Sequence, residues 1–255
     1  MSILSRPVPF PALALMGALL LAGLTAGAPA RADDALTDAQ RDAVRALVRD
    51  TLLDQPEIIA EALEIYQSRQ QDAERARVAA TLEQHRAAIE AAEAADVLGN
   101  PDGAITVVEF SDYQCGYCKR AFPDVASVVQ AAGDVRLVIR ELPILGPDSV
   151  MAARAALAAR AQGRYPAFHA ALMAMRGGLS EASVMQTARS VGLDVDQLKA
   201  DMADPALDDR FAETIKLARL LGISGTPAFV VGDEVIPGAI SAETLTEVIA
   251  RAREG

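Results

Sequence analysis

The chain has 255 residues, with 35 acidic against 24 basic side chains and a formal net charge of −11. That balance gives no electrostatic footprint for nucleic acid or for an anionic membrane surface. Half of the residues are apolar, Trp is absent and alanine is abundant, which excludes a disordered chain and favours one sizeable, helix-rich domain with an appendage.

Residues 1–32 have the form of a secretory leader: Arg6 at a weakly positive start, an apolar run from Leu13 to Leu24, and Ala30-Arg31-Ala32 as a small-x-small cleavage site before Asp33. The apolar run is short for a span. The expected home is therefore the periplasm, an oxidising compartment.

Residues 33–96 are expected to form a helical arm and linker. Thr37-Asp38-Ala39-Gln40 is a capping-box start. Val44, Leu47, Val48, Thr51 and Leu52 then fall on one face, and Ile58, Ile59, Ala62, Leu63 and Tyr66 on another after Pro56. From Gln67 to Ala95 the apolar positions thin to Val78, Leu82 and Ile89, which predicts a long exposed helix acting as a stalk. A helical hairpin of this size buries little by itself, so its stripes predict self-association.

Residues 97–255 are expected to form the catalytic domain. Strands are predicted at Ala104–Phe110, Val135–Arg140, Ala228–Val231 and Glu234–Ile236, with a turn at Gly232-Asp233. Between the second and third of them lie only helical patterns, punctuated by Gly163, Gly177-Gly178, Gly192 and Pro205. A last helix follows Ser241. Pro123 is expected to kink the helix after the first strand. His85 reads as an exposed residue of the stalk, and His169 as a satisfied helix residue rather than a ligand.

The only cysteines, Cys115 and Cys118, stand between the first strand and the following helix. Strand, C-x-x-C, helix is the arrangement of a thioredoxin-type redox site. At the mouth of a helix, unpaired N–H groups and the helix dipole favour an anion, which makes Cys115 the thiolate nucleophile. Cys118, one turn deeper on the same face, can attack a mixed disulfide on Cys115 and release the substrate. A structural zinc site needs four ligands, and His85 and His169 lack the spacing to complete one. No metal or other cofactor is expected. Glu109 interrupts a buried strand, where a carboxylate is costly unless paired or protonated. It is either a proton acceptor beneath Cys118 or a side chain turned to a polar edge. Pro227 opens a strand, and spacing alone does not select a cis bond there.

The segments Glu109-Phe110-Ser111-Asp112-Tyr113-Gln114-Cys115-Gly116-Tyr117-Cys118, Glu141-Leu142-Pro143-Ile144-Leu145-Gly146-Pro147 and Gly225-Thr226-Pro227-Ala228-Phe229 together resemble the DsbA-like thioredoxin-fold family of bacterial periplasmic proteins. The resemblance runs from about Val97 to the C-terminus. It implies an α/β thioredoxin fold with a helical insertion at about 147–221, a cis Pro227 facing the dithiol, and Glu109 as the family's buried acid. The arm, with Leu52-Leu53-Asp54-Gln55-Pro56-Glu57-Ile58-Ile59, is similar to the N-terminal region of the ScsC-like (copper-sensitivity suppressor) branch, whose members can trimerise. The dipeptide Gly116-Tyr117 and the residue Thr226 resemble the isomerase DsbC.

The resulting expectation is a periplasmic thiol-disulfide oxidoreductase with an isomerase or reductase bias. Cys115 and Cys118 would be catalytic, supported by Glu109, Gly116, Tyr117, Thr226 and Pro227. Its partners would be unfolded or misoxidised secreted proteins and a membrane thiol-disulfide electron donor. Residues 33–96 would make it a homo-oligomer, a trimer ahead of a dimer. The alternatives are a DsbA-like dithiol oxidase and a copper(I)-binding thiol protein linked to copper tolerance.

Overall fold

The computed structural model describes residues 36–254. The leader at 1–32 lies outside the described residues. Contacts divide the chain into two compact units, the first ending at Glu61 and the second beginning at Ala62.

In the first unit, α1 (Asp38–Asp54) begins with the expected capping box: Gln40 N donates to Thr37 Oγ1 at 3.3 Å, and Thr37 N donates to Gln40 Oε1 at 2.9 Å. These bonds satisfy N–H groups that the first helical turn leaves free. No residue of α1 is buried; Val44, Leu47, Val48 and Leu53 are all exposed. Pro56 precedes α2 (Glu57–Glu90) and starts its first turn.

The second unit is built on a five-stranded mixed sheet in the order β1-β3-β2-β4-β5. Its strands are β1 (Leu98–Gly99), β2 (Ile105–Ser111), β3 (Val135–Glu141), β4 (Ala228–Val231) and β5 (Glu234–Pro237). β2 and β3 are parallel, joined by the crossover helix α3 (Gly116–Ala132); the other pairings are antiparallel. β1 has no counterpart among the expected strands, because two residues are too few to carry an alternation pattern. Gly99 takes φ +81°, and a Cβ there would come within 2.5 Å of Val129 Cγ1, so that position requires glycine.

Between β3 and β4 the chain leaves the sheet through five helices, α4 (Pro147–Ala158), α5 (Tyr165–Ala174), α6 (Glu181–Ser190), α7 (Val195–Asp201) and α8 (Ala206–Leu220), and α9 (Ala242–Glu254) ends it. This is the predicted helical insertion of a thioredoxin fold. Val107, Leu137, Phe229 and Val231 face α3, α9 and most of the insertion, while Val108, Phe110, Val138 and Val230 face the opposite side. That alternation is the period of two of a sheet covered on both faces. α3 runs through Pro123 to Ala132 as one helix; Pro123 stands only in its third turn.

The stalk departs from the sequence reading. Leu82 and Ile89 are 1% exposed and pack with Val78 against Val108, Phe110 and Val138. The spacing i, i+4, i+11 places the three on one face of α2, and three apolar side chains among alanines are enough to bury it. Arg140 of β3 donates to the carbonyls of Ala88, Ile89 and Ala91 and closes the helix end. The C-terminal half of α2 is therefore a wall of the same unit as the sheet, whereas Leu63, Ile65 and Tyr66 near its start stay exposed.

Candidate active site

Strand β2 ends at Ser111, and the turn Asp112-Tyr113-Gln114 delivers Cys115 to the N-cap of α3. Asp112 holds this turn. Its carboxylate is 1% exposed and accepts four hydrogen bonds. Oδ1 receives Gln114 N at 2.8 Å and Ser149 Oγ at 2.7 Å, and Oδ2 receives Ile144 N at 2.9 Å and Leu145 N at 3.1 Å. One buried anion thus ties the dithiol turn to the loop after β3, where Ile144 and Leu145 are exposed.

Cys115 accepts a hydrogen bond from Cys118 N at 3.3 Å, and its thiol donates to the Thr226 carbonyl at 3.1 Å. The first contact is the N-cap interaction expected of an anion at a helix start. The second comes from the far side, where the Thr226–Pro227 bond is cis. Both cysteines are free. Cys118 is fully buried, and burial pushes its thiol up to about 12; contacts with Asp112 and Ser111 oppose that rise, and Cys115 and the charge of Glu109 add to it. Cys118 is a thiol that needs a proton acceptor before it can act.

Glu109 shares a sheet face with Ser111, toward α3, and is fully buried. The polar-edge alternative is excluded by that burial. Its Oε1 accepts Ser111 Oγ at 2.9 Å, and Oε2 has no partner. Burial raises the carboxyl to about 7, against the Ser111 hydrogen bond and with help from the charge of Glu141. A carboxyl poised there can hold or release a proton at neutral pH.

Of the other predicted site residues, Tyr117 is 62% exposed beside Cys115, with the Arg120 guanidinium 4.4 Å from its ring centre. A Cβ on Gly116 would meet only the Arg120 side chain, so no backbone demand fixes glycine there. Thr226 contributes its carbonyl, and its buried Oγ1 has no partner. His169 is not the satisfied residue expected: its Nδ1 lies 2.8 Å from the Tyr113 hydroxyl while Nε2 is buried without a partner. The sequence reading missed Asp112, Tyr113, Glu141 and Tyr165. For Glu141 a signal existed, an acid closing an apolar strand, the same signal that singled out Glu109.

Known proteins match in two stretches of the chain. Residues 106–250 match the model of the DSBA-like thioredoxin domain, and residues 40–73 that of the copper resistance protein ScsC N-terminal domain. The chain belongs to the DsbA-like thioredoxin family. Its N-terminal segment is of the ScsC type. A thioredoxin-like oxidoreductase from Silicibacter pomeroyi DSS-3 is 50% identical, covering 67% of this chain and 98% of that one with a TM-score of 0.64. Proteus mirabilis ScsC in a transitional conformation is 34% identical, covering 85% of this chain and 98% of that one with a TM-score of 0.62. Among curated proteins, the Na(+)/H(+) antiporter NhaA 1 of Salinispora arenicola is 34% identical over 161 residues, 62% of this chain and 25% of the antiporter. The chain thus spans about a quarter of the length of the curated relatives it matches. Among the described residues no helix is long and apolar enough to cross a membrane.

Proposed function

We propose that this DsbA-like protein is a periplasmic disulfide isomerase and reductase for secreted proteins, working as a homo-oligomer. The observation that carries the reading is the seat of Cys115: both hydrogen-bond partners of its sulfur, Cys118 N and the Thr226 carbonyl, are backbone groups. The thiolate keeps the Cys118 N–H and has no proton left for the Thr226 carbonyl, so it is stabilised less than one that faces a cation or a protonated imidazole, and the couple is less oxidising than that of a strong oxidase. In the exchange reaction the Cys115 thiolate attacks a substrate disulfide and expels one substrate thiolate. Glu109 takes the proton of Cys118; the Cys118 thiolate then attacks Cys115 Sγ, forms the Cys115–Cys118 disulfide and expels the second substrate thiolate. When another substrate thiolate instead attacks the substrate sulfur of the mixed disulfide, a new substrate disulfide forms, Cys115 leaves as the thiolate and the enzyme is reduced again.

Isomerisation requires a reduced dithiol, hence a membrane thiol-disulfide electron donor. It also requires a grip that outlasts several exchanges. Several dithiols on one scaffold raise the effective concentration, and the exposed Val44, Leu47, Val48, Ile58, Ile59, Leu63 and Tyr66 supply a surface for such assembly, a trimer ahead of a dimer. A copper(I)-binding role is the other alternative, since two thiolates alone can hold that soft ion; tight stoichiometric copper binding with no thiol exchange would favour it. The reduction potential tests the reading against the oxidase alternative. A value near that of protein disulfide isomerase, roughly −180 mV, or lower is expected. A value near that of the strong oxidant, about −120 mV, would reverse the assignment.

A further inference from the structure

A second carboxylate lies sealed beneath the dithiol turn. Glu141 ends β3 in register with Ser111 of β2, and Glu109 is in register with Ile139. In a parallel ladder registered residues share a face, so Glu109 and Glu141 stand on the same face of neighbouring strands. Glu141 is 2% exposed. Its Oε1 accepts the hydroxyls of Tyr113 at 2.7 Å and Tyr165 at 2.8 Å, while Oε2 has no hydrogen-bond partner.

Tyr113 stands two residues before Cys115 and connects three elements. Its single proton has two acceptors, Glu141 Oε1 and His169 Nδ1. When Glu141 is ionised, the proton goes to the carboxylate and His169 must donate from Nδ1. Burial holds His169 neutral, at about 3, so it offers no countercharge. The surrounding charges are mixed. Arg160, after α4, lies over the Tyr165 ring and pairs with the buried Asp96 at 3.2 Å. Arg140, Arg210, Glu213 and Thr214 line a cavity of about 30 Å³ with Glu141 and Arg160, room enough for one water. Against these stand Asp112 and Glu109, whose charges are of the same sign as that of Glu141. Like charges in a common low-dielectric site do not ionise independently. Consistently, burial pushes Glu141 as well up to about 7, the Tyr113 and Tyr165 hydrogen bonds opposing that rise.

We propose that Glu141 is a positioning residue for disulfide exchange: it shares one dissociable proton with Glu109 across the β2–β3 ladder, and its charge sets the pH at which Glu109 is free to take the proton of Cys118. The proposal rests on the reading of Glu109 as that acceptor. The step balances as Cys118–SH plus Glu109–COO⁻ giving Cys118–S⁻ plus Glu109–COOH. The Cys118–S⁻ pair then forms the bond to Cys115 Sγ, and the expelled thiolate carries the departing pair. An ionised Glu141 keeps the proton on Glu109 to higher pH, so the resolving step requires a higher pH than Glu109 alone would.

The test is the pH profile of resolution in single turnover. The full chain, loaded at Cys115 as a mixed disulfide with 2-nitro-5-thiobenzoate, is jumped to pH values from 5 to 9, and release of the thiolate is followed by absorbance. Wild type should show an inflection near 7, the value about which Glu109 is poised. Glu141→Gln should move it down by about one pH unit, the usual size of a near-neighbour charge effect. Glu109→Gln should flatten it. An unmoved inflection in Glu141→Gln, with Glu109→Gln flat, would overturn the proposal and leave the base reading standing. A wild-type profile in Glu109→Gln would overturn both. Should Glu141→Gln fail to fold, the carboxyl carbon resonances of Glu109 and Glu141 in labelled wild type decide instead. Each titrating in two steps, at shared pH values, supports the shared proton; single independent steps overturn it.

Discussion

Replacing Glu109 with glutamine removes a charge that the fold disfavours, so the variant should be more stable than wild type, and only at pH values where the carboxyl would be ionised. The folded-state value is about 7 against an ordinary 4.5. A group raised in this way binds more protons folded than unfolded between those values, so its contribution to stability is complete below 4.5 and is lost as the pH climbs through 7. The shift corresponds to roughly 3 kcal/mol at pH 8 and under about 1 kcal/mol at pH 5. Glutamine keeps an acceptor for the Ser111 hydroxyl, which stands 2.9 Å from Oε1, so the shape and one hydrogen bond persist. Urea unfolding of the reduced protein at the two pH values measures the difference. The midpoint of Glu109→Gln should rise clearly at pH 8 and little at pH 5, by a gap worth about 2 kcal/mol. An equal change at both values would refute the claim that a buried, titrating carboxylate lies under the dithiol.

Other consequences are as direct. Asp112→Ala strands three backbone N–H groups and the Ser149 hydroxyl; it should destabilise the chain by about 2–4 kcal/mol by thermal unfolding, and insulin reduction should fall with it. Leu82→Ala, at a fully buried site on α2, should cost about 3 kcal/mol, whereas Leu47→Ala on the exposed α1 should alter thermal stability at high dilution by less than about 0.5 kcal/mol. Val48→Glu with Leu63→Lys should convert a sedimenting oligomer into a monomer that still reduces insulin but isomerises several-fold more slowly; a wild-type monomer at micromolar concentration would remove the role given to the arm.

What the sequence made legible follows the strength of local pattern. The strand patterns at Ala104–Phe110 and Val135–Arg140, the C-x-x-C at a helix start and the capping box at Thr37 each depend on neighbours a few residues apart, and each stands in the structure within one residue of its expected place. The stalk was misjudged because its burial rests on three residues spread over three turns, and because its partner strands lie elsewhere in the chain. Asp112 carries no local mark: its role depends on Ile144, Leu145 and Ser149, more than thirty residues away. Tyr113, Tyr165 and His169 come together only when the insertion folds over the dithiol turn. A buried acid can be suspected from sequence, but its partners follow from topology.

The most direct test of the central claim is catalysed refolding of a secreted protein with scrambled disulfides, by the reduced full chain in a weakly reducing glutathione buffer. The account predicts recovery of native activity several-fold faster than in buffer alone, and none of that acceleration with Cys115→Ala. A wild-type rate no faster than glutathione, or equal acceleration by the Cys115→Ala variant, would contradict it.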